Sequence, residues 1–164
     1  MPLKPHFTII GLLGVAVLVQ EFALNRLTLF HAAPDMVTIG IAVLALLQGQ
    51  KKSTTAGFIV GTIIGMISGN MGMAMLSRSV EGFIAGYFYE PEDSHATSHQ
   101  IRRSFFFAIL LSGFVANALL SLGDNPLALP LAYRLLATGI AEALMTYLLA
   151  WLLHWLFLKK LLAD

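Results

Sequence analysis

Cysteine is absent from this sequence, and with it disulfides, thiolate metal sites and thiol chemistry. Nothing in it therefore reports the redox state of its compartment. Charge is scarce as well. Asp, Glu, Lys and Arg make up 12% of the 164 residues, where a soluble domain carries roughly 25%. The net charge of +1 argues against nucleic acid, which calls for a clustered basic face. No polar stretch approaches the roughly 50 residues that an independent aqueous domain needs. What remains is apolar, 57% of the chain. The composition predicts one transmembrane domain spanning residues 1–164, all-α, that acts in or beside lipid.

A spanning helix takes about 20 mostly apolar residues. Six segments come close, from about Phe7 to Leu29, Pro34 to Gln48, Thr54 to Gly69, Met71 to Tyr89, Phe105 to Leu122 and Leu131 to Leu158. The second and third are short, and a re-entrant hairpin is the alternative there. The first follows Met1-Pro2-Leu3-Lys4-Pro5 without an A-x-A-like cleavage site, so a retained span is expected and not a removed signal peptide. Lys and Arg gather in cytoplasmic loops. Six crossings with the N-terminus inside put Lys4, Lys51, Lys52, Arg102, Arg103, Lys159 and Lys160 on the cytoplasmic side, against Arg26 and Arg134 outside. Deleting any one crossing scrambles that asymmetry. Both termini are therefore expected in the cytoplasm, with the acidic loop from Glu90 to His99 beside them.

Glycine is concentrated. Gly57, Gly61, Gly65 and Gly69 recur every four residues through the third segment. Steps of four stay on one helix face and leave a bare stripe for close approach of another backbone, which is how membrane helices pack. Gly82 and Gly86 repeat the spacing in the fourth segment, and Ala137 and Ala141 in the sixth. The stripe serves either packing inside the bundle or a face for a partner's helix.

Three charges fall deep within spans. Arg78 and Glu81 are three residues apart and share a helix face. Counting 1.5 Å per residue from the outer surface puts Arg78 roughly 10 Å deep, Glu81 roughly 15 Å and Glu142 roughly 17 Å. Each costs about 2.5–3.5 kcal/mol at the bilayer centre. The expectation is that Glu81, Glu142 or both neutralise Arg78. Such a group is a register-fixing ion pair or a polar contact to a partner or ligand. A second polar group, Gln20, Glu21, Asn25 and Arg26 with Arg134, is expected near the outer surface, where interfacial solvation is the plainer account. Gly123-Asp124-Asn125-Pro126 reads as a turn.

The motifs of known intramembrane and hydrolytic chemistry are missing. Asp35, Asp93, Asp124 and Asp164 fall in loops or at the terminus, so no pair of in-span aspartates exists for a protease. H-E-x-x-H and G-x-S-x-G do not occur. Ser77 has only Arg78 beside it, which does not act as a base. His95 and His99 are spaced like a helical metal pair near Glu90, Glu92 and Asp93, but a solvated loop accounts for them. His6 and His154 fall at similar depth, as haem ligands would, and fit interfacial side chains better. No cofactor and no catalytic or metal-binding residue is expected.

The stretch from Pro34-Asp35-Met36 through Gly86-Tyr87-Phe88 resembles the rod shape-determining protein MreD family. That family has a Pro-Asp start to a short helix, a G-F-x-x-G helix, a small polar turn, and a helix ending in Gly-Tyr. Here the pattern reads Gly57-Phe58-Ile59-Val60-Gly61, Ser68-Gly69-Asn70-Met71-Gly72 and Gly86-Tyr87-Phe88. One departure is Gly65, where many members carry an aspartate, so no role of that carboxylate carries over. The resemblance implies a non-enzymatic inner-membrane scaffold subunit of the bacterial cell-wall elongation machinery. Its implied partners are membrane lipid, an MreC-like protein and, through the complex, a RodA-type glycosyltransferase and a penicillin-binding transpeptidase. It also implies a six-helix fold like that of the S components of energy-coupling-factor vitamin transporters. Such an S component is the alternative function. Its signature would be a closed polar cavity lined by Glu21, Arg26 and Arg134. The usual A-x-x-x-A stripe is missing from the first helix, where Gly11, Gly14, Ala16 and Ala23 include no pair four apart. An unrelated small membrane protein sharing only glycine-rich packing is the third reading.

Overall fold

In the computed structural model the chain is helical, with no strand among the described residues, which are 5–28, 31–91, 97–123, 125 and 128–158. The main helices are α1 (Pro5–Phe22), α2 (Met36–Gln48), α3 (Gln50–Ser68), α4 (Met71–Ala85) and α5 (Ser98–Gly123). The last, α6, starts at Leu131–Tyr133, passes a wide π turn at Arg134–Thr138, continues as Gly139–Leu153 and ends in a second π turn at His154–Leu158. Two stretches, Ser98–Gly123 and Leu131–Leu156, are long and apolar enough to cross a membrane.

Helix boundaries follow local chemistry. Asp35 caps α2: its Oδ1 accepts from the N–H groups of Val37 at 2.9 Å and Thr38 at 3.1 Å. Gly49 alone turns α2 into α3. Its φ of +80° with ψ of 178° is a conformation nearly confined to glycine. Thr97 and Gln100 form a capping box at the start of α5, the Gln100 side chain accepting from the Thr97 N–H at 2.8 Å. Helix α5 therefore begins at Ser98, seven residues before the expected Phe105, and His99 lies in it and not in a loop. Glu92, Asp93 and His95 lie outside the described residues, as do Lys4, Lys159, Lys160, Asp124, Pro126 and Asp164. The side chain of His6 is likewise outside them.

Helix α2 is the axis of the molecule. Every residue from Val37 to Leu46 is buried, and α1, α3, α4, α5 and α6 all pack on it. Leu13 and Val17 of α1, Phe105, Ala108 and Ile109 of α5, and Ala150 of α6 complete this core. A helix that is apolar all round belongs at such a centre. Around it the outer faces stay apolar: Leu18, Phe22, Ile59, Met66, Phe107, Leu144, Leu148 and Trp151 are all exposed. Apolar surface so extensive is foreign to a water-facing monomer.

Contacts between elements place two ends. Gly86 lies on Gln50, Tyr89 on Gly49 and Phe105 near His154, so one end carries Lys51, Lys52, Arg102 and Arg103. Gly123 lies against Met73 at the other, toward which Asp35, Arg26 and Arg134 sit.

Candidate functional site

Helices α3 and α4 run antiparallel and form the most extensive pairing in the molecule. Glycine makes it possible. A Cβ on Gly61 would stand 2.5 Å from the Ala74 carbonyl oxygen, and one on Gly65 2.5 Å from Met71 Cα. At Gly57 it would overlap the Arg78 carbonyl still more closely. The seam is reciprocal: Gly82 abuts the Ser53 backbone and Gly86 abuts Gln50. The close approach admits a side-chain bond across the seam, the Ser53 hydroxyl donating to the Gly82 carbonyl at 2.7 Å. The stripe of Gly57, Gly61 and Gly65 is thus occupied within this chain.

Gly69 departs from the expected ladder. A Cβ there would meet nothing within 4 Å, so it is no packing position. It ends α3 in the left-handed conformation, φ +78°, and its N–H bonds the Gly65 carbonyl at 3.0 Å. The spacing of four simply runs on into a helix stop.

A charged cluster lies beside this seam. Nη1 of Arg78 is 2.6 Å from Asp35 Oδ2 and 2.8 Å from Glu81 Oε2, and donates to the Thr38 hydroxyl at 3.3 Å. Arg78 and Asp35 are nearly closed off from solvent, and Glu81 is completely so. The pairing of Arg78 with Glu81 follows their spacing on α4. Asp35 precedes α2 as expected of a loop residue, but it is buried at the mouth of that helix, and sequence reading missed it as a partner. Thirteen residues make α2 about 20 Å long, shorter than α3, α4 and α5, which pack around it. Its cap therefore lies inside the bundle. Arg78 projects back toward the N-terminus of α4, as helical side chains do, and so reaches it. One guanidinium faces two carboxylates, and Glu81 Oε1 has no hydrogen-bond partner.

Of the two carboxylates offered as partners of Arg78, Glu81 is taken and Glu142 is not. Instead, Asn117 of α5 donates to Glu142 Oε2, and Ser121 donates to Asn117 at 3.3 Å. Depth along an axis said nothing of how α6 is rotated. Thr146, one turn further on, faces inward and accepts from the Asp35 N–H at 2.8 Å. Together these bonds tie α2, α4, α5 and α6 through one polar layer.

The outer-end cluster is only partly assembled. Gln20 accepts from the Met36 N–H at 2.8 Å and donates to Asn25 at 2.7 Å, and Asn25 donates to Glu21 at 3.2 Å. This chain satisfies one of the free N–H groups at the start of α2. Arg26 is exposed in the short turn after α1 and joins none of these bonds, and Arg134 lies half-buried in the first π turn of α6. Ser77, the one serine weighed as a nucleophile, donates to the Ala74 carbonyl of its own helix at 3.2 Å. No group of three or more metal-ligating side chains occurs among the described residues.

Neither a protein-family model nor a curated protein matches the chain.

Proposed function

We propose that this chain is a multi-pass inner-membrane protein, crossing six times with both termini in the cytoplasm. We read it as a non-enzymatic scaffold subunit of the machinery that elongates the bacterial sidewall. The proposal rests on the resemblance of the Pro34-to-Phe88 stretch to the MreD family. The observation that carries it is how that stretch is used. Its Pro-Asp start caps the central helix, its glycines weld α3 to α4, and its charges bind one another. Asp35, Gly57, Gly61, Gly65, Arg78 and Glu81 all work at holding a shape, as a scaffold needs. The exposed apolar faces of α1, α3, α4, α5 and α6 and the basic end at Lys51, Lys52, Arg102 and Arg103 support the crossings and their direction.

On this reading the partners are an MreC-like single-span protein and, through it, a RodA-type glycosyltransferase and a penicillin-binding transpeptidase. Affinity purification in mild detergent from a rod-shaped host is expected to bring down the MreC-like protein, and depletion is expected to round the cells. Cells that keep their rod shape after full depletion refute the assignment. Impermeant amine reagents applied to intact cells are expected to leave Lys51 and Lys52 unmodified, and labelling there overturns the orientation.

A further inference from the structure

A pocket of about 400 Å³ opens between α5 and α6 at the basic end of the molecule. Its walls come from two helix faces at regular spacing: Arg102 and Phe106, four apart on α5, and Tyr147, Trp151, His154 and Trp155 on α6. Phe106 holds the wall together, its ring 4.9 Å from that of Tyr147 and 5.8 Å from that of His154. The second π turn of α6 begins at His154, where an extra residue widens the helix beside the pocket.

We propose that this pocket binds the phosphate headgroup of an anionic phospholipid. The inference rests on the membrane-spanning reading above. Arg102 is exposed, lines the pocket and makes no ion pair among the described residues. A guanidinium there meets phosphate in the bidentate geometry it favours. The neighbouring Arg103 is engaged differently, its guanidinium 5.4 Å above the Phe107 ring and outside this pocket. Trp151 and Trp155, 56% and 69% exposed, have the amphipathic rings that sit at headgroup level. From the pocket, exposed Leu144, Leu148 and Leu152 run along α6 and give acyl chains a track. The two helices that form the pocket are also those long and apolar enough to span. Basic pockets between such helices on the cytoplasmic side are suited to anionic headgroups.

Trp151 and Trp155 are the only two tryptophans in the chain, so intrinsic fluorescence reports on this pocket alone. The unmodified protein, reconstituted into phosphatidylcholine vesicles, is titrated with brominated phosphatidylglycerol or brominated phosphatidylethanolamine. Quenching is expected at lower mole fractions of the anionic lipid. Arg102→Gln is expected to shift that titration about fivefold, the contribution of one basic residue at an anionic surface, while Arg103→Gln leaves it in place. Equal quenching by the two lipids overturns the proposal, and the groove then takes acyl chains or a partner's helix without regard to charge. An unshifted titration in Arg102→Gln overturns it as well. Release of the chain by carbonate washing would instead refute the membrane reading beneath it.

Discussion

Gly61→Ala is the sharpest probe of the α3–α4 seam. The added Cβ would lie 2.5 Å from the Ala74 oxygen and 2.8 Å from Met75 Cα. Both are backbone atoms and cannot rotate away. Restoring an ordinary 3.4 Å contact requires the helices to part locally by about 0.9 Å. A gap of that size forfeits roughly a quarter to a half of each dispersion contact along the seam. It also stretches the 2.7 Å bond from Ser53 to Gly82. Overpacking of this kind costs about 1–3 kcal/mol, against which the better helix propensity of alanine returns at most about 1 kcal/mol. Gly72→Ala is the control, on the same hairpin with nothing within 4 Å of its Cβ. Thermal denaturation in detergent, followed by loss of the monodisperse peak, is expected to show Gly61→Ala melting below the parent and Gly72→Ala at or slightly above it. Equal melting of the two variants refutes close backbone contact at Gly61.

Three further outcomes follow from the same geometry. Arg78→Met leaves Asp35 and Glu81 buried without their cation and is expected to cost about 3–5 kcal/mol. Adding Asp35→Asn and Glu81→Gln is expected to raise the melting temperature again, and a triple variant no better than the single one contradicts the ion-pair account. Asp35→Ala is expected to fall below Asp35→Asn by about 1 kcal/mol in chemical denaturation, since asparagine still caps α2 while neither pairs with Arg78. Gly69→Ala is expected to lose about 1–2 kcal/mol to its left-handed backbone despite the open space around it. Gly69→Asn should lose less, and the comparison needs only melting temperatures.

The sequence showed its packing more plainly than its polar wiring. Segment positions were legible because apolar runs and turn residues are local signals, and the all-helical class followed from them. The glycine spacing on α3 marked a close contact, since no other residue type leaves so little between two backbones. It overran at Gly69, although the following Asn70 was a cue that the helix stops there. Arg78 and Glu81 were legible as a pair because both lie on one helix. Asp35 was not, because its place depends on α2 being shorter than its neighbours and set deep among them. An Asp before ten apolar residues does signal a helix cap, but a cap alone says nothing about a cation forty-three positions further on. Glu142 shows the same limit: rotation about α6 selects Asn117 over Arg78, and rotation is a property of packing, not of spacing. The capping box at Thr97 and Gln100 was available as a local motif and would have moved the start of α5 to Ser98.

Helix α3 has one side made of bare backbone and an opposite side made of Phe58, Ile59, Ile63, Met66 and Ile67, all exposed. The bare side is already taken. A neighbour arriving at this hairpin therefore encounters bulky hydrocarbon with few hydrogen-bonding groups, a surface that tolerates sliding and rotation. On the scaffold reading proposed above, selecting one partner and one orientation then falls to the polar rims at the two ends of the molecule. Swaps among large apolar residues along α3 should leave such assembly largely indifferent, while single charge changes at the rims should redirect it.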